Sequence, residues 1–193
     1  MRQCTILVAV LLLAQVAVAG QNPDVRIHLD FDPPHGVDRI DPQPGDLFRV
    51  YIVVDCFGAG GGFYATAVAF DRTFGGTLVD QTNLLGPLDL GNVEDPHIGW
   101  VHGSLTCVYP GADGLLVTGY VTYSYDGPSG WIRILRTEID QGAVADCNNV
   151  LDYFCIAGNA GVGMDAPPGE RGCVCGATPV EHGSWGAIKA LYR

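Results

Sequence analysis

The chain has 193 residues, with 10 basic and 21 acidic side chains, 27 glycines and 12 prolines. Its net charge of −11 disfavours binding to nucleic acids and to anionic membrane surfaces, because both are themselves negative. The high glycine and proline content argues against a helix bundle and favours short strands joined by turns. With 48% hydrophobic and only 16% charged residues, the composition is that of a folded protein.

Residues 1–19 have the features of a signal peptide. A basic residue follows the first methionine, an apolar stretch comes next, and Ala17-Val18-Ala19 fits the rule for cleavage before Gly20. The apolar stretch is short for a membrane span, and Gln15 interrupts it. We therefore expect a secreted protein, extracellular or periplasmic. Once Arg2 leaves with the leader, nine basic residues face 21 acidic ones, and the net charge becomes −12.

Six cysteines remain after the leader, and an even number in an exported chain predicts three disulfides. They are Cys56, Cys107, Cys147, Cys155, Cys173 and Cys175. Cys173 and Cys175 flank one residue, so on an extended segment they lie too far apart for an unstrained bond. We expect each of these two to pair with one of the nearby Cys147 and Cys155, which leaves Cys56 to pair with Cys107. Zinc is not favoured, because the spacings do not fit a zinc site and the compartment oxidises thiols.

The first predicted strands follow the leader directly. Residues 24–32 alternate apolar and polar side chains, which indicates a strand with one solvent-exposed face. Residues 47–57 are apolar on both faces, as in a central strand. After a glycine loop at 58–62, residues 63–70 place alanines on one face and larger apolar side chains on the other.

Further strands are predicted near residues 77–80, 98–108, 115–125 and 131–139. The turn sequence Asp-Gly-Pro-Ser-Gly at 126–130 predicts a hairpin between the last two. About seven strands without intervening helices predict an all-β fold. The expected architecture is an antiparallel two-sheet β-sandwich, Ig-like or jelly-roll-like, over residues 20–145.

The C-terminal part of the chain differs in composition from the rest. Residues 146–180 contain four of the six cysteines and a proline-glycine run, which predicts a disulfide-stapled elaboration with one strand near 153–157. Residues 181–193 predict a short amphipathic helix that begins at Ser184 and places apolar side chains at helical spacing. This helix either docks on the sandwich or serves as a sorting tag. Its apolar residues are Trp185, Ile188 and Leu191.

In residues 44–71 a Pro44-Gly45-Asp46 turn leads into an alternating strand, and a glycine loop then leads into a strand that ends in Phe70-Asp71. This arrangement resembles the opening of bacterial cohesin-type modules. The resemblance implies a jelly-roll or Ig-like sandwich that binds a partner through a sheet face and catalyses no reaction. Arg72 stands where the family usually has proline, and the six cysteines are foreign to typical cohesins. The resemblance therefore implies the architecture and leaves the partner unidentified.

The sequence contains no recognisable catalytic motif. Ser104, Ser129 and Ser184 all lie outside a Gly-x-Ser-x-Gly pattern, so we interpret them as turn or capping residues. His97 and His102 lie five residues apart on an extended segment and would point to opposite faces. We expect them to be surface or loop histidines rather than a metal-binding pair.

Acidic residues cluster early in the chain, at residues 30–41, and again at Glu94-Asp95 and in residues 146–152. Such loops could bind calcium in an exported β-sandwich, although no spacing matches an EF-hand, and a solvated acidic face is the favoured interpretation. No other cofactor is expected. Two carboxylates could also be paired for glycoside hydrolysis, which makes a secreted glycosidase-like hydrolase the alternative function. The early carboxylates are Asp30, Asp32, Asp38 and Asp41.

A candidate binding face lies on the strand predicted at 115–125. Alternation places hydroxyl-bearing side chains on one face, and an aromatic residue of the next strand is expected beside them. A plain solvent face is the alternative. The main hypothesis is a non-catalytic exported module, structural or adhesive, that binds a protein or glycan partner through a sheet face, with no membrane insertion after cleavage. The face comprises Thr118, Tyr120, Thr122, Ser124 and Trp131.

Overall fold

The computed structural model of the chain describes residues 20–138, 143–166 and 175. The predicted signal peptide, most of the cysteine-rich segment beyond residue 166 and the predicted terminal helix lie outside these residues. Within the described ranges the secondary structure consists of strands, and no helix is long and apolar enough to cross a membrane. The strands are β1 (Arg26–Asp30), β2 (Arg39–Ile40), β3 (Leu47–Asp55), β4 (Phe63–Arg72), β5 (Gly76–Asn83), β6 (Leu88–Gly91), β7 (Trp100–Val108), β8 (Leu116–Tyr125), β9 (Gly130–Leu135), β10 (Ala143–Asp146), β11 (Leu151–Tyr153), β12 (Cys155–Ala157) and β13 (Asn159–Val162).

The strands form two sheets that pack face to face, so the predicted all-β sandwich is confirmed. The first sheet has the order β12-β1-β3-β8-β5. The second has the order β11-β10-β4-β9-β13-β2, and β7 and then β6 extend it from the other edge of β4. Because β10 pairs with the first half of β4 and β9 with the second half, these two strands share one edge of β4.

The sheets are mixed rather than purely antiparallel, because β1 pairs with β12 and β2 pairs with β13 in parallel. Strands β11, β12 and β13 therefore complete both sheets, and the sandwich continues past residue 145. Five strands were not predicted from the sequence, namely β2, β6, β10, β11 and β13, since the one strand predicted near 153–157 corresponds to β12. Each has at most four residues, too few to show a clear alternation.

The hairpin predicted at residues 126–130 is wrong. Strand β8 lies in the first sheet and β9 in the second, so this turn carries the chain from one sheet to the other. Backbone hydrogen bonds tie it to the turn between β4 and β5: Gly75 N–H donates to Pro128 O and Thr73 N–H to Trp131 O, each 2.9 Å. The local sequence signals a turn correctly, but long-range pairing decides which strand follows.

The core lies between the sheets and is built from alternate residues of each strand. The alternation predicted at the start of the chain is confirmed, since the apolar side chains at 25, 27, 29 and 31 are all buried. Aromatic rings fill one end of the core, where the Phe74 ring meets Phe48 at 5.5 Å and Tyr123 at 5.3 Å between centroids. Close packing of this kind supplies most of the stabilisation of a β-sandwich.

Two of the predicted disulfides are wrong, that of Cys56 with Cys107 and that of Cys175 with Cys147 or Cys155, although the five cysteines in the described residues are all bonded. The structure pairs Cys56 with Cys175 across 119 residues and Cys107 with Cys147 across 40, with Cα atoms 5.3 and 5.2 Å apart. Cys155 is also disulfide-bonded. The prediction favoured cysteines close in sequence, whereas the sandwich brings distant strand ends together. The Cys56–Cys175 bond links the C-terminal extension to the end of β3.

Candidate functional site

The structure does not bring the five predicted face residues together. Tyr120, Thr122 and Ser124 are half-buried on the outer face of the first sheet. Thr118 is fully buried, because a bulge opposite β3 turns it toward the interior. Trp131 belongs to β9 in the second sheet. The predicted face is therefore divided between two surfaces and the core.

The outer face of the first sheet is polar and aromatic. The Arg49 guanidinium lies 4.5 Å from the centroid of the Tyr120 ring, and the Tyr51 ring lies 5.7 Å from the same ring. Thr122 pairs with Arg49 on one side and with the exposed Asp80 on the other. Charged groups interrupt this surface on two of its strands.

The second sheet presents a different outer surface, which we call the apolar face. Its residues come from five neighbouring strands, β11, β10, β4, β7 and β6, and two rows of cross-strand neighbours run across it. In both rows small residues occupy the middle and larger apolar side chains the ends. The first row is Leu151, Ala145, Ala65, Gly103 and Leu88. The second row is Tyr153, Ala143, Ala67, Val101 and Leu90, where Ala143 falls opposite Ala67 if the antiparallel register of Val144 with Thr66 is continued by one residue.

The orientation of the apolar face follows from the residues between its members. His102 points into the sandwich, where its Nε2 lies 2.8 Å from Thr118 Oγ1 of the other sheet. Thr66, Val144 and Asp152, which alternate with face residues on their own strands, are also buried. Because neighbours along a strand point to opposite sides, the residues of the two rows face outward.

Large side chains on the apolar face are exposed to solvent. Leu90 is 61% exposed, Leu151 56% and Tyr153 49%. None of the ten residues in the two rows carries a charge, although the whole chain contains 31 charged residues. The absence of charge is therefore a local property of this surface.

Charged and aromatic groups border the apolar face beyond Ala69. Asp71 on β4 accepts hydrogen bonds from the Arg133 guanidinium of β9, at 2.7 and 3.1 Å. The same guanidinium lies 4.7 Å from the centroid of the Trp131 ring. Trp131 thus lies on the outer side of the second sheet, at the polar border of the apolar face.

A small cleft of about 180 Å³ along β1 is lined by two of the four early carboxylates, Asp30 and Asp38, together with Asp55. Asp30 accepts hydrogen bonds of 2.9 to 3.0 Å from three backbone N–H groups of the loop that follows β1. Asp55 forms an ion pair with Arg26. Both buried carboxylates therefore hold parts of the fold in place.

In the described part of the chain, one group of side chains has metal-binding proximity, namely Asp55, Cys56 and Cys175. Its two sulfur atoms are joined in a disulfide and are not available as thiolate ligands. Glu94 of the long loop forms an ion pair with Arg72. None of these contacts supports the calcium site considered from the sequence.

The two histidines have different environments. His97 is exposed and forms an ion pair with Glu138, which raises the pKa of the imidazole. His102 is fully buried, so the expectation of a surface histidine is wrong for this residue. The strand predicted at 98–108 is present as β7, and His102 is on the side of β7 that faces the other sheet.

The predicted serines do not form a nucleophilic site in the described residues. Ser104 is buried and bonds to Thr106, while Ser129 accepts a hydrogen bond from the backbone of Asp165 at 3.4 Å. Ser184 lies outside the described ranges. Ser129 lies in the turn before β9, as interpreted from the sequence, whereas Ser104 lies within strand β7 and is not a turn residue.

No family model and no curated protein matches this sequence. Solved structures do match. A cohesin module from the family 33 glycoside hydrolase of Clostridium perfringens aligns with a TM-score of 0.52 at 9% identity, over 73% of this chain and 98% of that one. The CaDoc0917–CaCohA2 complex gives 0.47 at 12% identity, over 72% and 99%. The sixth cohesin of Acetivibrio cellulolyticus scaffoldin B, in complex with a mutant Cel5 dockerin, gives 0.44 at 12%, over 74% and 99%. The chain thus has the fold of a cohesin module.

Proposed function

We propose that the chain is an exported, non-catalytic module that binds a protein partner through the apolar face. The observation that carries the proposal is an uncharged surface with exposed Leu90, Leu151 and Tyr153 on a chain of net charge −11. Exposed apolar side chains grouped on one face of a sheet mark contact sites on soluble domains. The exposed surface is formed by the larger side chains at the ends of the rows, because Ala67 and Ala143 between them are almost fully buried. The cohesin fold adds support, since the resemblance of residues 44–71 implies partner binding through a sheet face.

The size of the apolar face suits the centre of a protein interface. Five strands about 4.8 Å apart make it roughly 20 Å wide. A typical interface covers about 800 Å² on each partner, with an apolar centre and a polar rim. Trp131 and the Asp71–Arg133 ion pair would lie at that rim.

A protein partner fits this surface better than a glycan does. Sugar hydroxyls require hydrogen-bonding side chains, and burial leaves them unsatisfied where such side chains are missing. Of the ten residues in the two rows, Tyr153 alone has a polar side-chain group. The partner should therefore offer an apolar surface of its own.

The alternative of a secreted hydrolase has weaker support. A glycosidase requires two carboxylates in a cleft with one of them free to donate a proton. The buried carboxylates beside the β1 cleft are held by backbone N–H groups at Asp30 and by Arg26 at Asp55. Their contacts explain them as parts of the fold.

Site-specific photo-crosslinking tests the proposal. A photoreactive amino acid at position 90 should crosslink one defined protein in the medium of the producing cells, and the same label at position 47 should not. Leu47 is the matched control, because it is 63% exposed on the outer side of the first sheet. Mass spectrometry identifies the crosslinked protein.

Titration with the purified partner then measures the contribution of the face. Leu90→Glu and Leu151→Glu should each weaken binding at least about tenfold, because a carboxylate would be buried without a partner. Leu47→Glu should bind like the unmodified chain. Equal crosslinking from positions 47 and 90, or unchanged affinity in both face variants, would exclude the apolar face as the binding surface.

A further inference from the structure

Two buried aspartates anchor the first described residues of the chain. Gln21 N–H donates to Asp146 Oδ2 and Asn22 N–H donates to Asp152 Oδ2, each at 2.8 Å. Asp146 ends β10 and Asp152 lies in β11, so one hairpin supplies both carboxylates. The segment that begins at Gly20 is thereby fixed against the edge of the second sheet.

The two carboxylates differ in their hydrogen bonds. Asp146 Oδ1 accepts from the backbone N–H groups of Asn148 and Val150, both at 2.8 Å, and its Oδ2 accepts from Gln21. Asp152 Oδ1 has no hydrogen bond from the residues that the structure describes. Within the same ranges, neither carboxylate has an ion-pair partner. Burial, together with the charge of Asp146, raises the pKa of Asp152.

Asp152 Oδ1 is directed at Gly20. A Cβ atom added to Gly20 would overlap this oxygen, so the position accommodates a glycine and no larger residue without a shift. The nitrogen and Cβ positions on one Cα are about 2.5 Å apart, which places the Gly20 nitrogen within about 4 Å of Oδ1. That distance is short enough for an ion pair if the nitrogen is charged.

We propose that cleavage between Ala19 and Gly20 creates an α-ammonium group that forms a buried ion pair with Asp152, next to Asp146. A peptidase hydrolyses the amide bond with one water molecule, which leaves a carboxylate on Ala19 and an amino group on Gly20 that is protonated at neutral pH. The uncleaved amide nitrogen carries no charge and cannot neutralise Asp152. Removal of the leader would therefore stabilise the N-terminal edge of the sandwich.

The position of cleavage matters in this proposal. One additional residue before Gly20 would move the ammonium group by about 3.5 Å along the chain and restore a neutral amide at the Gly20 nitrogen. Asp152 would then remain buried next to Asp146 without a cation. The signal-peptide cleavage rule and the position of Asp152 therefore both indicate Gly20 as the first residue of the mature chain, and they do so independently.

A double-mutant cycle on the disulfide-bonded mature protein tests the ion pair. N-terminal sequencing of the exported chain should first give Gly20. A chain with one extra alanine before Gly20 should melt about 5 °C lower, as should Asp152→Asn, and the two changes together should cost no more than either alone. Asp126→Asn, which removes one exposed charge elsewhere, controls for net charge.

Additive losses in the cycle, or no loss on extension, would contradict the proposal. If Asp152→Asn fails to fold, the reactivity of the amino group gives the answer. An ion pair that raises the pKa of the α-amino group by one unit lowers its acylation rate at pH 7 about tenfold relative to the unfolded chain. Equal rates in the folded and unfolded chains would likewise exclude the pair.

Discussion

His102 is a titratable side chain enclosed between the two sheets. Its ring stacks on Trp100 with centroids 4.2 Å apart, and its Nε2 lies 2.8 Å from Thr118 Oγ1. Burial lowers the pKa of His102 to about 4, because the charged imidazolium would lose its hydration in the core. The residue is therefore neutral at pH 7, and it links the sheets through a hydrogen bond between neutral groups.

This environment predicts a loss of stability in mild acid. In the unfolded chain the histidine pKa is about 6.5, so below that pH the unfolded state binds the proton first. The stabilisation is complete above pH 6.5 and falls by about 3 kcal/mol as the pH drops to about 4. Urea unfolding between pH 7 and 4.5 should show that the free energy of unfolding falls less steeply with decreasing pH in His102→Gln than in the unmodified chain. His97→Gln should not flatten this dependence, because the raised pKa of the exposed His97 acts in the opposite direction. Equal pH dependence in the unmodified chain and in His102→Gln would contradict the prediction.

Single-residue alternation predicted most side-chain directions, including those of β1, but it placed Thr118 on the wrong side. The error arises at one bulge, where the pairing of β8 with β3 shifts between Ile52 and Val53. Thr118 then donates to Ile52 O at 3.3 Å and bonds to His102. No local pattern marks this bulge, because the contact that fixes it comes from the other sheet.

At the scale of elements, the turn between β4 and β5 packs against the start of β9. A Cβ atom added to Gly130 would lie 2.6 Å from both the carbonyl carbon and Oγ1 of Thr73. The backbone N–H of Trp131 also donates to Thr73 Oγ1 at 3.1 Å. The crossing from the first sheet to the second therefore depends on a close approach of two backbones.

Gly130→Ala should destabilise the sandwich by about 1 to 3 kcal/mol, because the added methyl group must displace backbone atoms. Gly86→Ala is the matched control, since its nearest neighbour would be 3.4 Å away, an ordinary contact. Urea unfolding of both variants measures the difference. Equal free energies of unfolding for the two variants would show that the turns do not require this contact.

The same region shows why the pairing of strands is harder to predict than their positions in the sequence. The long strands β3, β4, β7 and β8 were predicted within a few residues, because their hydrophobic patterns are local. The partner of β8 was wrong, and so was the partner of Cys56, which bonds to Cys175 at a separation of 119 residues. Spacing along the chain favours near neighbours, whereas a sandwich joins strands that are distant in sequence.

At the scale of the whole molecule, composition predicted the fold class but not the location of the apolar face. The alanines at 65, 67 and 69 were visible as one side of a strand, and the larger side chains as the other. The sequence alone does not show which side is buried, since the facing sheet decides that. In the structure Val68 and Phe70 fill the core, and Ala65 lies outward.

Net charge and the apolar face together predict that the mature protein self-associates in mild acid. At pH 7 a charge of −12 keeps copies apart, and protonation of Asp and Glu near pH 4.5 removes much of that repulsion. The exposed side chains of the apolar face are then the surface most able to pair. Light scattering from pH 8 to 4 should show growing particle size for the unmodified chain and less growth for Leu90→Glu combined with Leu151→Glu.

The control for added charge is Leu47→Glu combined with Val79→Glu, on the outer side of the other sheet, which adds the same charge at similarly exposed positions. If both double variants suppress growth equally, charge alone governs association and the apolar face has no special part in it.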